Sequence, residues 1–386
     1  MTIAGFVALG LCCLFVLLAL HPFVTYPLSL MVVRRMRPRP PARIGTSPAP
    51  GLAVCVCAYN EESVIEEKVE NLLDLRRAMD GNLEILVYVD AATDRTADIL
   101  RRYVDRLTLV VSPQRHGKTH GMNRLVALAR SDVVVFTDAN VRIEPEAMPR
   151  LATYFTDPTV GCVCGTLTYV NDDETPTAAS GALYWRLEEA IKQLESDTGS
   201  VMGADGSVFA VRRPLHRPVP DDIIDDFFVS LSVLCDGWRV VRAPDVRAYE
   251  KGATASFDEF RRKIRISCQA VNVHRMLWPR LRGLDPMLLY MYLSHKWLRW
   301  MTAMMLAGAM VSGFAWLWLV FGGPGLAGGA AALGAFALAD IFKVGKARML
   351  REILTAFAAT AIGVLRSYRG DRYQTWTPAQ SVRRAQ

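Results

Sequence analysis

Residues 133–140 read VVVFTDAN, an apolar and largely β-branched run that stops at an acid and an amide. The run is short and follows Ser131-Asp132, so we expect a strand buried on both faces, as in a parallel sheet covered by helices. Asp138 and Asn140 then point to the same side, because alternate residues of an extended chain do so. Such a pair of oxygen ligands suits a hard divalent cation. The structural alternative is an Asp-x-Asn turn that caps the next segment.

Strand-like runs of the same kind alternate with helical patterns throughout residues 52–140. The predicted strands cover 52–58, 83–89, 107–111 and 133–140. This alternation predicts an α/β fold with a mostly parallel sheet, whose ligands bind beyond the carboxyl ends of the strands. Beyond those ends lie Asn60, Asp90, Lys118 and Asp138. Acids with one lysine suit a nucleotide diphosphate that is held through a metal ion.

Gly117-Lys118-Thr119 also admits a second interpretation, the phosphate loop of an ATPase. It follows a predicted strand, precedes a helix and is trailed by the strand that ends at Asp138. However, the full loop pattern needs an earlier glycine at the position where this chain has Ser112. Pro113 also removes an amide that such a loop would use to cradle phosphate. We therefore favour a different kind of nucleotide site.

The composition predicts both a membrane part and a soluble part. Of 386 residues, 51% are hydrophobic and 22% are charged, and the net charge of +7 includes basic clusters beside apolar segments. This placement favours membrane lipids as partners over nucleic acid, for which we find no motif. Residues 1–33 are predicted to be a transmembrane anchor and 34–50 a basic, Pro-rich linker. The basic flank places the next domain, predicted at 51–256, in the cytoplasm at the cell's inner membrane.

The C-terminal part is predicted to return to the membrane. Residues 257–300 are expected to form basic, amphipathic interface helices, and residues 301–366 to form membrane segments with a tight turn at 322–325. The run 353–365 has only 13 continuous apolar residues, below the roughly 17 that a span needs, so we expect it to be re-entrant or interfacial. The tail, 367–386, then stays in the cytoplasm near the active site.

Four motifs stand in the order and places of those in family 2 glycosyltransferases. They are Ala58-Tyr59-Asn60-Glu61-Glu62, Val89-Asp90-Ala91-Ala92-Thr93-Asp94-Arg95-Thr96, Gly117-Lys118 with Asn123, and Thr137-Asp138-Ala139-Asn140. The chain resembles the membrane-bound members of that family, which include polysaccharide synthases. The resemblance implies a GT-A fold, which is Rossmann-like, with a nucleotide-sugar donor, Mg²⁺ or Mn²⁺, and inversion at the anomeric carbon.

The resemblance also implies roles for residues at the nucleotide site. Tyr59 and Glu61 would lie near the base and the ribose. Asp90 would contact the uracil or the ribose, and Lys118 would lie near the nucleotide.

The metal-binding Asp-x-Asp motif of the family falls on Asp138 and Asn140. Asn140 offers a neutral amide oxygen where an acid is usual. Metal binding should therefore be weaker, or should depend more heavily on the phosphates of the donor.

The acceptor side of the site is predicted around a glycine-rich loop and an acidic pair. Gly203 and Asp205 lie in the loop that the family directs toward the acceptor, and a simple turn is the alternative. An inverting transfer needs a carboxylate to take the proton of the acceptor hydroxyl, and the family supplies it from an acidic pair that precedes a helix ending at glycine. Asp225 and Asp226 precede a predicted helix that ends at Gly237. Asp226 is thus the expected general base, with ordinary helix capping as the alternative.

Arg262 and Arg265 stand where processive relatives carry a Gln-x-x-Arg-Trp motif. The second arginine is kept, but Arg262 and Ile266 replace the glutamine and the tryptophan. The resemblance places these arginines toward the acceptor or the diphosphate, and the altered motif argues against processive synthesis.

These features predict a metal-dependent, inverting glycosyltransferase that moves a sugar from a UDP-sugar donor to a lipid-linked or growing glycan acceptor at the cytoplasmic membrane face. A processive polysaccharide synthase is the nearest alternative. An inactive membrane scaffold is an alternative of another class, and the presence of Asp90 and Asp226 argues against it.

Overall fold

The computed structural model describes residues 2–36, 48–171, 176–252, 256–342 and 344–375. Most of the predicted linker and the end of the predicted tail lie outside these ranges. The strands are β1 Leu52–Ala58, β2 Leu83–Asp90, β3 Thr108–Ser112, β4 Val133–Asp138, β5 Arg142–Ile143, β6 Val160–Tyr169, β7 Val208–Arg212 and β8 Arg239–Glu250. The helices are α1 Ile3–Leu20, α2 Thr25–Met36, α3 Ile65–Ala78, α4 Thr96–Arg101, α5 Lys118–Leu128, α6 Ala147–Tyr154, α7 Pro176–Thr198, α8 Asp225–Cys235, α9 Ser256–Leu281, α10 Pro286–Tyr292, α11 Leu298–Ile341 and α12 Gly345–Tyr368.

The eight strands form one sheet, and its parallel half carries the predicted site. The order is β3-β2-β1-β4-β7-β6-β8-β5. Every side chain of β1 is buried, because one face of the sheet packs on α5 and the other on α3. This explains the continuous apolar character of the strand. In register, Ala58 lies opposite Val89 and Cys57 opposite Asp138, so β1, β2 and β4 end at one edge of the sheet, as the sequence predicts.

The other half of the sheet departs from parallel pairing. Strand β7 runs antiparallel to both β4 and β6, whereas β6 pairs parallel with β8. The two residues of β5 pair antiparallel with β8, which places Arg142 opposite Tyr249. This pairing brings the end of β8 beside the turn that follows β4. The apolar pattern of the sequence does not show how β6 to β8 pair.

The predicted anchor, 1–33, consists of two helices instead of one continuous segment. Helix α1 ends at Leu20, a turn occupies residues 21–24, and α2 begins at Thr25. Helix α1 packs along α11, whereas α2 packs against α7. The contact on α7 includes Tyr26, whose hydroxyl donates to Glu195 at 2.6 Å. A turn at His21-Pro22 therefore divides the apolar run into two helices.

Helices α9 to α12 form the C-terminal layer. Helix α11 is interrupted at Gly322, where φ is 62° and ψ is −142°, and the chain folds back so that Gly329 contacts Phe314. This reversal is the tight turn predicted at 322–325. Helix α12 packs along α9, with Gly363 against Ser267. The interfacial placement of the run 353–365 stays a prediction.

Among the described residues, two helical segments are long and apolar enough to cross a membrane, by length and composition alone. They are Ile3–Leu20 and Pro286–Ile341. The second comprises α10, the π-helical turn Leu293–Trp297 and α11. The beginning of the second segment, which includes Met291, Tyr292 and Trp300, is buried in the core that covers one face of the sheet.

Candidate active site

Four charged side chains from three elements converge beyond the carboxyl end of β4. Lys118 begins α5, Asp138 ends β4, and Asp225 and Asp226 begin α8. Lys118 Nζ lies 2.7 Å from Asp138 Oδ1 and 4.0 Å from Asp225 Oδ2. Burial by itself would lower the pKa of Lys118, but the three carboxylates outweigh burial and raise that pKa. Lys118 is therefore a permanent positive charge within the site.

The protonation of Asp226 is strongly perturbed. Burial raises the pKa of Asp226 to about 8, and the charge of Asp225 adds to this rise while Lys118 opposes it. Asp226 Oδ1 accepts a hydrogen bond from the backbone N–H of Phe227 at 2.6 Å. Asp225 Oδ2 is buried and has no hydrogen-bond partner within the described ranges. A carboxylate whose pKa lies near neutrality suits proton transfer at physiological pH, which is the role that the sequence predicts for Asp226.

Gly206 leaves an opening among these groups. A Cβ atom at this position would lie 3.1 Å from Asp226 Oδ2, 3.2 Å from Lys118 Nζ and 3.9 Å from Asp138 Oδ2. The three polar atoms therefore surround one small space, which is the place for a reacting group. The sequence indicates a flexible loop here, but only these distances distinguish Gly206 from its neighbours.

We expect Gly206→Ala to lower turnover roughly 100-fold, because the new methyl group would displace groups that must be placed to within about 1 Å. The backbone can accept alanine, since Gly206 is not among the glycines with positive φ. Gly51→Ala is the matched control, because its Cβ would make only an ordinary contact of 3.7 Å with Ser131. Steady-state kinetics and melting temperatures of both variants check this. Full activity of Gly206→Ala would contradict the placement of the reacting group.

Asp90 shapes the loop that leads to Lys118. Its carboxylate accepts hydrogen bonds from the backbone N–H groups of His116 at 2.8 Å and of Gly117 at 3.0 Å. The side chain is fully buried. Gly117 has a φ of 94°, a conformation that favours glycine. The predicted contact of Asp90 with the uracil or ribose stays a prediction, and the structure adds a role in fixing the loop.

Tyr59 lies close to Asp90, whereas Glu61 lies deeper in the fold. The guanidinium carbon of Arg115 stands 3.5 Å from the centre of the Tyr59 ring, and its Nε is 3.9 Å from Asp90 Oδ2. Glu61 is almost fully buried, and its backbone N–H donates to Thr96 Oγ1 at 2.9 Å. Arg115 thus joins Tyr59 to Asp90, while Glu61 fastens the loop after β1 to the loop after β2.

Asp138 and Asn140, the predicted metal ligands, lie in the turn after β4. Asp138 Oδ1 is bonded to Lys118, so Oδ2 is left for a cation. Asn140 donates from Nδ2 to Glu250 Oε1 at 2.9 Å, so its Oδ1 is also left. Within the described ranges, no group of three or more acidic, histidine or cysteine side chains could hold a metal ion. Both remaining atoms are oxygens of the kind that Mg²⁺ and Mn²⁺ bind, and their role as metal ligands stays a prediction.

The two arginines of α9 that are predicted at the site differ in the charges that act on them. Glu259 and Tyr169 raise the pKa of Arg262, and its Nη1 donates to Glu259 at 3.3 Å. Burial lowers the pKa of Arg265, and the charges of Asp138 and Asp226 act on it in the opposite direction. Arg265 is thus electrostatically part of the site, whereas Arg262 is neutralised by partners of its own.

Gly203 and Asp205 belong to a loop that is tightly held. Gly203 has a φ of 119°, and a Cβ there would lie 2.5 Å from the ring of Phe227. Asp205 Oδ2 accepts from Lys192 Nζ at 2.7 Å. Their predicted contact with the acceptor stays a prediction, and the contacts observed serve to fix the loop in front of α8.

The chain after α12 reaches the loop that carries Gly117. Gln374 Nε2 donates to the carbonyl of His116 at 3.2 Å, and Arg372 pairs with Asp222 at 3.1 Å. A side chain at position 117 would collide with the backbone of Gln374. The described part of the tail therefore lies beside the predicted nucleotide site.

Lys68 and Asn71, both on α3, bind the backbone of the turn after β4, and the sequence did not predict either role. Lys68 Nζ donates to the carbonyl of Val141 at 2.5 Å. Asn71 exchanges hydrogen bonds of 2.8 and 3.0 Å with the backbone of Ile143. Burial lowers the pKa of Lys68 to about 7. The sequence offers no signal for this role, because a lysine among glutamates in a helix normally faces solvent.

The sheet order and the position of the candidate site at the carboxyl edge of the strands are those of a GT-A-like α/β fold. Residues 53–219 match the description Glycosyl transferase family 2, and this part of the chain is a domain of that family. The matched range contains Asp90, Lys118 and Asp138 but ends before Asp226. The predicted GT-A-like fold class is confirmed, and the family assignment applies to residues 53–219, which are less than half of the chain.

One solved structure shares the fold, and two curated proteins share part of the sequence. The mannosyltransferase PcManGT from Pyrobaculum calidifontis, in complex with GDP-Man and Mn²⁺, is similar over 95% of this chain and 99% of its own, with a TM-score of 0.73 and 22% identity. An N-acetylglucosaminyltransferase of Rhizobium meliloti (strain 1021) is 24% identical over 64% of this chain and 62% of its own length. A beta-monoglucosyldiacylglycerol synthase of Synechocystis sp. is 26% identical over 60% and 52%, respectively. This chain thus spans less than two thirds of the length of these two curated relatives.

Proposed function

We propose that the protein is a membrane-attached, inverting glycosyltransferase that moves a sugar from UDP to a lipid-linked or glycan acceptor at the cytoplasmic face. The observation that carries the proposal is the convergence of Asp226 Oδ2, Lys118 Nζ and Asp138 Oδ2 on the opening at Gly206. Transfer from a nucleotide diphosphate needs a base for the acceptor and positive charge for the leaving group. The family 2 domain supports the same reaction class.

In the proposed reaction, Asp226 takes the proton of the acceptor hydroxyl as that oxygen attacks the anomeric carbon. The bond between the anomeric carbon and the diphosphate oxygen breaks, and its electron pair leaves with the diphosphate. Attack opposite the leaving group inverts the configuration. Asp225 keeps the pKa of Asp226 high, so the carboxylate remains basic enough to accept the proton.

Positive charge for the leaving diphosphate comes from the chain and from a cation. Lys118 and Arg265 lie beside the carboxylates of the site and would face the phosphates. Asp138 Oδ2 and Asn140 Oδ1 would hold Mg²⁺ or Mn²⁺, which supplies further positive charge next to the diphosphate. The Mn²⁺ in the related PcManGT complex supports a divalent metal here.

The contacts of α8 support an acceptor that arrives from the membrane side. Phe227, the residue after Asp226, meets the ring of Trp300 edge-on at 6.2 Å between centroids. Lys296 Nζ lies 5.9 Å from the centre of the same Phe227 ring. Trp300 and Lys296 belong to the helical segment Pro286–Ile341, which is long and apolar enough to cross a membrane. The proposed base is thus one residue away from the membrane-side helices.

Product analysis with the purified full chain tests the proposal. Radiolabelled UDP-sugars and GDP-mannose are offered one by one with a membrane lipid extract, and products are identified by mass spectrometry. We expect one UDP-sugar to yield a glycolipid with a single added sugar. A ladder of long products would favour the processive synthase. Transfer from GDP-mannose alone would contradict the UDP assignment, and the absence of transfer from every donor would contradict the function.

We expect the rate to rise with pH because Asp226 acts as a base. The raised pKa of about 8 means that the carboxyl is protonated, and inactive, at lower pH. The value of kcat/KM for the donor should therefore climb with pH and level off above about 8, since this ratio reports ionisation of the free enzyme. Initial rates measured between pH 6 and 9.5 at constant ionic strength check this. A profile that is flat across this range would contradict the role of Asp226.

A further inference from the structure

The carboxylate of Glu250, at the end of β8, lies beside the one residue that departs from the metal-binding motif. Its Oε1 accepts a hydrogen bond from Asn140 Nδ2 at 2.9 Å. The contact follows from strand pairing, because β5 and β8 are antiparallel and Arg142 lies opposite Tyr249. Glu250 is 110 positions from Asn140 along the chain, so no local pattern could indicate this contact.

The backbone around Glu250 is firmly held. The N–H of Val170 donates to the carbonyl of Glu250 at 3.1 Å. Two residues later, Gly252 N–H donates to Asn171 Oδ1 at 2.7 Å, and Asn171 Nδ2 donates back to the carbonyl of Gly252 at 3.2 Å. A side chain that starts from such a backbone can orient a neighbour, because its own position is fixed.

The chemistry of the contact decides which way the Asn140 amide faces. An ionised carboxylate only accepts hydrogen bonds, so it must meet the NH₂ group of the amide and not its oxygen. Asn140 Oδ1 is therefore the atom left for a ligand. The negative charge also polarises the amide and increases the electron density on this oxygen. A neutral residue thereby gains part of the character of the acid that it replaces.

We propose that Glu250 is the positioning residue that makes Asn140 a ligand for the divalent cation of the donor complex. Glu250 acts through Asn140 and does not itself bind the cation. Its charge also adds to the effect of Glu259 and Tyr169, which raise the pKa of Arg262 on α9. The inference rests on the proposed function, since it assumes that a cation binds with the nucleotide.

A double-mutant cycle with Asn140 tests the inference without reference to turnover. Purified full-length variants are titrated with Mn²⁺ in the presence of UDP, and free Mn²⁺ is followed by electron paramagnetic resonance. We expect Glu250→Ala to weaken Mn²⁺ binding about tenfold, the equivalent of one lost hydrogen bond to a charged group of about 1.4 kcal/mol. Asn140→Ala should weaken binding similarly. The double variant should bind no more weakly than Asn140→Ala, because Glu250 acts only through Asn140.

Matched variants separate this role from a loss of folding. Glu250→Gln keeps the side-chain length and an acceptor oxygen, so its Mn²⁺ affinity should stay within about threefold of the unmodified protein. Glu144→Gln is the control on the same strand pair, since Glu144 accepts from Tyr249 at 2.5 Å and does not touch Asn140. The Mn²⁺ affinity of Glu144→Gln should equal that of the unmodified protein. Melting temperatures without ligand confirm that each variant is folded.

Two results would overturn the inference while leaving the proposed function intact. An unchanged affinity in Glu250→Ala would show that Asn140 needs no positioning. Additive losses in the double variant would show that Glu250 binds the cation independently. If Asp138→Ala also leaves Mn²⁺ affinity unchanged, the metal site of the proposed function itself is wrong, so the two failures are distinguishable.

Discussion

Asp226→Asn is expected to lower turnover by about 100- to 10,000-fold, the range that a positioned general base contributes. Asparagine has nearly the same shape and can still accept the hydrogen bond from the Phe227 N–H that Asp226 Oδ1 receives. It cannot take a proton from the acceptor hydroxyl at neutral pH. The defect should therefore appear in kcat, while the affinity for UDP and Mn²⁺ stays close to that of the unmodified protein.

Two neighbouring acids serve as controls for Asp226→Asn. Asp221→Asn changes a residue of the same acidic run that pairs with His120 at 3.1 Å, and its turnover should remain within about twofold. Asp225→Asn removes a charge that raises the pKa of Asp226, so the rising limb of the pH profile should move to lower pH. Turnover of Asp226→Asn equal to that of Asp221→Asn would remove Asp226 from the base role.

The parallel half of the sheet and most polar residues at its edge could be predicted because their signals are local. Burial on both faces produces the continuous apolar runs of β1 and β4, and each run ends where the polar loop begins. Parallel strands covered by helices then place these loops at one edge. The convergence of Lys118 with Asp138 and Asp226 follows from this geometry together with the motif order.

Residues whose roles depend on distant pairing could not be predicted. In the sequence, Glu250 is only an acid at the end of a strand. The antiparallel pairing of β5 with β8 brings it to Asn140. Lys68 stands beside Glu66 and Glu67 and reads as a solvated helical face, yet it is buried under the turn after β4. In both cases the sequence shows the residue type but not the partner, because the partner is set by strand register and helix packing.

The same limit applies to the two ends of the chain. Hydropathy shows apolar length but not which surface each part of the run contacts. The turn at 21–24 divides the predicted anchor into α1, which packs along α11, and α2, which packs against α7. Near the other end, the position of Gln374 beside Gly117 depends on the packing of α12 along α9. The short apolar run 353–365 indicates that the tail returns to the catalytic domain, but not which loop it meets.

Asp138→Ala is expected to weaken the binding of UDP with Mn²⁺ by about 100-fold. The substitution removes a proposed cation ligand, and even the outer partners of metal ligands contribute about 10- to 100-fold to affinity. It also removes the carboxylate that stands 2.7 Å from Lys118 Nζ, so the lysine should turn toward Asp225, which is already within 4.0 Å. Neither effect should unfold the protein, because the residues of β4 that precede Asp138 are buried in the core and are unchanged.

Calorimetric titration with UDP, in the presence and absence of Mn²⁺, separates the loss of the cation ligand from the loss of the carboxylate beside Lys118. In the unmodified protein, Mn²⁺ should increase UDP affinity, whereas Asp138→Ala should bind UDP with equal, low affinity in both conditions. Asp132→Ala, at the opposite end of the same strand, is the control and should keep the Mn²⁺ effect. If UDP affinity of the unmodified protein is the same with and without Mn²⁺, the metal assignment fails. The pair of Asp138 with Lys118 would then bind the nucleotide through charge and hydrogen bonds supplied by the chain alone.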